Sequence, residues 1–187
     1  MSATQRGNLA VSASELGKHV EAVRAARQSL SEMEEPFESP HPDIAATKDK
    51  LGSSLIAAGR ADEGLAMRTQ AMDGLIAVFG PDYPDSTHAM MLVARATKQS
   101  GNPVEAIHLY ETALASRIRT HGEQHASVAE TLNNLAVAHE ATGDRQQALQ
   151  EYERALEIAR ATLPAGDELR AHIQSRCNVL RATTCRK

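Results

Sequence analysis

The sequence predicts an all-α protein, a right-handed α-solenoid of about four antiparallel helix hairpins closed by a C-terminal capping helix. Two observations lead to this fold class. A shift of 42 residues aligns four glycines together with columns of apolar and small residues at helical spacing. The apolar content is rich in Ala and Leu, with two Phe, three Tyr and no Trp, which favours close helix contacts over a thick sheet core.

The 42-residue register runs along the whole chain. Glycine recurs at Gly17, Gly59, Gly101 and Gly143. Apolar residues align as Leu9, Leu51, Val93 and Leu135, as Val23, Leu65, Ile107 and Leu149, and as Leu30, Met72, Leu114 and Leu156. Small residues align as Ala22, Gly64, Ala106 and Ala148, and as Ala10, Gly52, Ala94 and Ala136. A glycine that ends the first helix allows the chain to reverse, and paired small residues let two helices approach closely, so each repeat is predicted to be a helix hairpin.

Nine helices are predicted in chain order. Their expected bounds are residues 3–16, 19–34, 43–58, 61–79, 86–100, 103–120, 128–142, 145–162 and 168–182. The predicted domain is a single solenoid over residues 1–187, made of a degenerate repeat at 1–40, full repeats at 41–82, 83–124 and 125–166, and a capping helix and tail at 167–187.

Several helix starts carry their own signals. Proline near the first helical position and aspartate in the first turn mark two starts, Pro42-Asp43 and Pro84-Asp85. Capping residues mark three more: Asn102 ahead of Pro103, Ser127 with Glu130 in the form of a capping box, and Asp144 after Gly143.

The last predicted helix has one apolar face, as expected of a terminal cap. Its stripe consists of Leu169, Ile173, Cys177 and Leu180, whereas Arg170, Arg176 and Arg181 point elsewhere. Cys177 is therefore predicted to be a core residue. A metal site built from His172, Cys177 and Cys185 is the alternative, but its spacing matches no known ligand frame, so we expect no metal.

The repeats resemble the tetratricopeptide repeat, in its 42-residue kinesin light chain subtype. The residues that carry the resemblance are His41-Pro42-Asp43 in one repeat and Leu132 to Ala136, Gly143, Ala148, Tyr152, Ala155, Leu156 and Ile158 in another. The resemblance implies a non-enzymatic protein-binding module, an adaptor or scaffold, whose first helices line a concave groove for a peptide.

Fixed positions of the first helices face that groove in the related family. Here they are Ala46, Asp49, Lys50, Ser53, Ile56 and Ala57; His88, Met91, Leu92, Arg95, Lys98 and Gln99; and Glu130, Asn133, Asn134, Val137, Glu140 and Ala141. In the family, the Asn of "LNN" hydrogen-bonds the peptide backbone, and the resemblance carries this role to Asn133 and Asn134. Met91-Leu92 and Asp49-Lys50 depart from that pattern.

The middle of the predicted groove is cationic with an apolar spot. Four residues spaced by three, four and three share one helix face: His88, Met91, Arg95 and Lys98. Lys50 is expected to approach them from the neighbouring repeat. We expect this strip to hold an acidic segment or a C-terminal carboxylate. Arg95 would be the bidentate contact, Asn134 would fix the backbone, and Met91-Leu92 would accept an apolar side chain. The simpler alternative is an ordinary solvated helix face.

A structural role in a larger assembly, for example a cytoskeletal one, is the second candidate function, with contacts through the convex face or the ends. The acidic residues Glu32, Glu34, Glu35 and Glu38 near the N-terminus and the basic residues Arg170, Arg176, Arg181, Arg186 and Lys187 near the C-terminus fit head-to-tail self-association. Solvated charge is the alternative, and the sequence leaves the oligomeric state open.

Composition argues against other partners. The net charge is -4 and the pI near 6.1, which together with few aromatics disfavours nucleic acid. No run approaches the roughly 18 apolar residues of a membrane span, and no secretory signal opens the sequence. The only two cysteines lie near the C-terminus, which fits a reducing compartment, so a cytoplasmic location is expected.

No catalytic or cofactor motif is found. The segment "HGEQH", His121 to His125, superficially resembles a zinc protease helix, but Gly122 and a repeat boundary fall inside it. His125 shares the column of His41 and Tyr83, so it is interpreted as a linker residue packing between repeats. We therefore predict no enzyme and no cofactor.

Overall fold

The computed structural model describes residues 19–34 and 41–184. Within these ranges it contains helices and no strand. The helices are α1 (His19–Glu34), α2 (Pro42–Ala57), α3 (Ala61–Phe79), α4 (Pro84–Gln99), α5 (Pro103–His121), α6 (Ala126–Thr142), α7 (Arg145–Thr162) and α8 (Glu168–Thr184). These eight helices match the predicted bounds to within two residues at each end. The helix predicted at 3–16 lies outside the described residues.

The chain divides into two compact units at the boundary between Ala96 and Thr97, inside α4. In the first unit α2 packs against α1 on one side and α3 on the other. In the second unit α6 packs against α5 and α7, and α7 also packs against α8. Helices α2, α4 and α6 are the first helices of the full repeats, and α3, α5 and α7 are the second helices.

The core of the first unit depends on a close approach of two helix backbones. Val23, Leu51 and Leu55 are buried together between α1 and α2. Gly52 and Gly64 lie face to face where α2 meets α3, and a Cβ added to Gly64 would lie 2.6 Å from the carbonyl oxygen of Gly52. The predicted columns of small residues thus mark a helix contact in this hairpin.

The core of the second unit is built by α6, α7 and α8. Ile158 from α7 and Ile173 from α8 are almost fully buried in it. Cys177 is also fully buried there, as predicted, and burial raises the pKa of its thiol. The terminal arginines are not simply solvated, because Arg181 contacts Glu153 at 2.8 Å and Arg176 pairs with Glu140.

Helix capping differs from two of the predictions. Histidine is the N-cap of both α2 and α6: Nδ1 of His41 accepts from the Asp43 N–H, and Nδ1 of His125 accepts from the Ser127 N–H, each at 3.2 Å. The capping box predicted from Ser127 and Glu130 was therefore wrong.

His125 is exposed and stacks at a tilt against His121, so its interpretation as a residue packed between repeats was also wrong. Asn102 occupies the N-cap of α5 but makes no side-chain cap. Asp144 caps α7 as predicted, accepting from the Gln147 N–H at 3.0 Å.

Two glycine replacements should have opposite effects on stability. Gly74→Ala should raise the free energy of unfolding by about 1 kcal/mol, because alanine favours a helix and its Cβ would meet Ala45 at an ordinary 3.9 Å. Gly143→Val should lower it by about 2 kcal/mol, because Gly143 ends α6 at φ 87°, which a β-branched residue adopts only under strain. Urea denaturation followed by far-UV circular dichroism measures both changes, and the reverse order would contradict the repeat register.

Candidate functional site

The residues predicted to line the groove differ in their exposure. In the first unit His88 and Arg95 are exposed, Lys50 and Leu92 are half-buried, and Met91 is 7% exposed. In the second unit Lys98, Asn134 and Val137 are half-buried, and Asn133 is 8% exposed. Leu92 is therefore the more accessible apolar side chain of the Met91-Leu92 pair.

A cavity of about 320 Å³ lies between α2, α3 and α4. Four of the positions predicted to face the groove line it together: Ala46, Asp49, His88 and Leu92. The remaining lining residues are Pro42, Asp43, Ala45, Ala71, Leu75, Asp85 and Ala89. Lys50, Met91 and Arg95 are not among its lining residues. The wall of this cavity carries three carboxylates.

An arginine with a largely buried side chain, 11% exposed, contacts Asp49 of this cavity and was missed by the sequence reasoning. Nε of Arg68 lies 3.3 Å from Oδ1 of Asp49, and the Arg68 guanidinium donates to Oγ of Ser53 at 2.6 Å. Burial lowers the pKa of Arg68, Asp49 opposes this shift, and nearby Arg95 reinforces it. Asp49 is thus compensated from within the protein. The signal was present in the sequence, because the 42-residue register places Arg68 in the column of Tyr110 and Tyr152.

Two of the six groove positions of α6 pair with arginines of the second unit. Glu130 lies 2.9 Å from Arg117, and Glu140 pairs with Arg176. Asn133 differs from them, because its amide oxygen is buried and accepts no hydrogen bond from any described residue. Val137 packs partly against the core.

Two further clefts open between successive second helices of the repeats, α1 being the second helix of the degenerate repeat. In the second unit a cavity of about 450 Å³ lies between α5 and α7, with Leu132 and Leu135 of α6 among its lining residues. In the first unit a cavity of about 390 Å³ lies between α1 and α3, with Leu51 and Leu55 of α2 among its lining residues. Leu51 and Leu135 share one repeat column, so the two clefts are equivalent places in the repeat.

A hydrogen-bonded histidine–glutamate pair borders the α5–α7 cleft. Nδ1 of His139 lies 2.9 Å from Oε2 of Glu151, and the Gln147 amide donates to the other Glu151 oxygen at 3.1 Å. Burial raises the pKa of Glu151, which His139 and Gln147 oppose. Because Glu151 is buried, His139 is half-buried and the two are hydrogen-bonded, this pair is part of the α6–α7 packing.

Neither a metal site nor a membrane-spanning helix occurs in the described residues. In residues 19–34 and 41–184 no group of three His, Cys, Asp or Glu side chains could hold a metal ion. None of the helices in the same ranges is long and apolar enough to cross a bilayer.

The fold and these grooves define a class, the helical-repeat proteins that act as protein-interaction scaffolds. The sequence profile of the tetratricopeptide repeat matches residues 43–117 and 87–161, which together make up more than half of the chain. The chain therefore belongs to the tetratricopeptide repeat family, a non-catalytic protein-interaction fold. A search of curated proteins found no match.

Solved structures share this fold. A point variant of a kinesin light chain-type protein with nearly identical TPR-like repeats, from Podosopora anserina, superposes with a TM-score of 0.86 at 24% identity over 98% of this chain and 87% of that one. BtubC (BKLC) from P. vanneervenii superposes with a TM-score of 0.76 at 22% identity, over 98% of this chain and 81% of that one. The apo form of RapI superposes with a TM-score of 0.81 at 13% identity, over 97% of this chain and 64% of that one. The predicted all-α solenoid with kinesin light chain-like repeats is confirmed.

Proposed function

We propose that this chain is a non-enzymatic adaptor or scaffold that binds a peptide segment in the groove of its first helices. The observation that supports the proposal is the cavity between α2, α3 and α4. Two first helices contribute to it from adjacent repeats, and four of its lining residues are positions selected from the repeat alone. A concave site with an apolar floor and few polar groups suits a side chain of a bound segment.

Each unit would contribute its own contacts. In the first unit Leu92 would contact an apolar side chain in the cavity, and exposed Arg95 would pair with a carboxylate of the peptide. In the second unit the resemblance to the kinesin light chain subtype gives Asn134 a hydrogen bond to a peptide backbone. The sequence led to the proposal of an acidic ligand. Here we propose that only the part of the peptide that contacts Arg95 is acidic.

The alternative proposal is a structural subunit of a larger assembly, for example a cytoskeletal one, that binds through its second helices or its ends. The clefts between α1 and α3 and between α5 and α7 favour the second helices, because leucines form their floors. Head-to-tail pairing has less support, since Arg176 and Arg181 already pair with Glu140 and Glu153.

Three matched alanine replacements separate these functions. Ala46 lines the groove cavity, Ala115 lines the α5–α7 cleft, and Ala77 lies on α3 outside both; all three are exposed. Tyrosine at each site adds the same bulk without changing charge. We expect Ala46→Tyr to lose the specific partners that the wild type captures from native lysate, while Ala115→Tyr and Ala77→Tyr retain them.

The opposite pattern would overturn the groove proposal. Loss of partners with Ala115→Tyr alone would support binding through the second helices. Unchanged far-UV circular dichroism and urea midpoints are the condition for comparing the variants, and Ala77→Tyr reports the effect of an exposed tyrosine itself.

A further inference from the structure

The cavity between α2, α3 and α4 joins an apolar interior to an acidic rim. Seven of its eleven lining residues are Ala, Leu or Pro, including Leu75 and Leu92, whose side chains are only half-buried. The other four are three aspartates and His88. The cavity therefore offers both a surface for methylene groups and an excess of negative charge.

Two of the three carboxylates have no lysine or arginine partner among the described residues. Asp49 has Arg68 at 3.3 Å, but Asp85 has no ion-pair partner in residues 19–34 and 41–184. In the same ranges Asp43 has only the His41 ring as a partner, and Nδ1 of that ring lies 3.8 Å from Oδ2 of Asp43. That same Nδ1 accepts a hydrogen bond from the Asp43 N–H at 3.2 Å.

Helix-dipole compensation accounts for only part of this arrangement. Asp43 and Asp85 lie in the first turns of α2 and α4, where a carboxylate is favourable. The third repeat has Ser127 in the same column, so the register does not require an acid there. Asp43 and Asp85 nevertheless line one cavity, so two acids without a lysine or arginine partner in the described part of the chain face the same space.

We infer that this cavity selects a lysine or arginine side chain of the bound peptide, an inference that rests on the proposed function of the groove. Such a side chain carries methylene groups that pack on apolar surface and a cationic head that needs carboxylates. Its stem would lie on Leu75 and Leu92, and its head would meet Asp43 and Asp85. Arg95 lies about 15 Å along α4 from Asp85, so the groove of the first unit is charged oppositely at its two ends and orients the peptide.

Selection from a phage library of random short peptides tests the inference. Peptides enriched on the wild type should share a basic residue. We expect Asp43→Asn/Asp85→Asn to weaken their binding about tenfold or more in fluorescence anisotropy. Asp62→Asn is the matched control, because Asp62 is an exposed acid in the first turn of α3 outside the cavity, and it should leave binding unchanged.

A change in the peptide keeps the test independent of protein folding. Norleucine in place of the shared basic residue should weaken binding to the wild type by a similar factor. Peptides that lose binding to Ala46→Tyr but have no basic preference would overturn this inference and leave the groove proposal standing. A library that yields no peptide sensitive to Ala46→Tyr would overturn both.

Discussion

Gly64→Val should lower the free energy of unfolding by about 3 kcal/mol or more, because it forces apart two helices that touch through their backbones. A Cβ at residue 64 would lie 2.6 Å from the Gly52 carbonyl oxygen and 2.6 Å from a side-chain carbon of Ile56. A side chain could rotate away from such a contact, but a carbonyl oxygen within a helix cannot. The α2–α3 hairpin must therefore open, which also disturbs the packing of Leu51 and Leu55.

The same replacement at Gly74 is the matched control. Gly74 lies on the same helix, α3, and its added Cβ would meet only Ala45, at 3.9 Å. Gly74→Val should change stability by less than about 1 kcal/mol, since helix propensity differs little between glycine and valine on that scale. Urea denaturation of the two variants measures the difference. Equal destabilisation would show that α2 and α3 do not approach closely at Gly52 and Gly64.

The helices could be predicted from the sequence because one physical pattern repeats. Gly59, Gly101 and Gly143 all have positive φ in the structure, so the most regular column marks a backbone conformation that strongly favours glycine. The caps were less predictable. A serine followed three residues later by a glutamate resembles a capping box, yet His125 takes the cap and Glu130 turns to Arg117. Local motifs compete with long-range partners that a sequence pattern does not show.

Four groove positions taken from the repeat line one cavity, but the charge of that cavity was not predicted. Residues of α2 and α4 that the repeat selected share a cavity, because equivalent positions of equivalent helices meet when hairpins stack. The cationic strip gave weight to Arg95 and omitted Asp43 and Asp85, which belong to helix starts in the sequence and to the cavity rim in space. The charges along one helix do not show which of them are neutralised by a neighbouring helix. Arg68 of α3 neutralises Asp49 of α2 in this way.

Tyr152 has a larger role in the second unit than its place in a repeat column suggests. Its ring is fully buried on α7, and its hydroxyl donates to Glu140 of α6 at 2.8 Å. Glu140 in turn pairs with Arg176 of α8. Burial and the neighbouring carboxylate raise the pKa of the Tyr152 phenol, so it remains a donor. One side chain thus joins the core to a polar link across three helices.

Tyr152→Ala should therefore lower the free energy of unfolding by about 4 kcal/mol, combining a large cavity with a lost hydrogen bond. Tyr152→Phe should cost only about 1–2 kcal/mol, because it keeps the ring and leaves Glu140 paired with Arg176. Tyr83→Ala is the control for the same truncation, since Tyr83 is 42% exposed and stacks on Phe79, and it should cost about 1 kcal/mol. Urea midpoints give the order. If Tyr152→Phe were as destabilising as Tyr152→Ala, the polar link rather than ring packing would hold α6, α7 and α8 together.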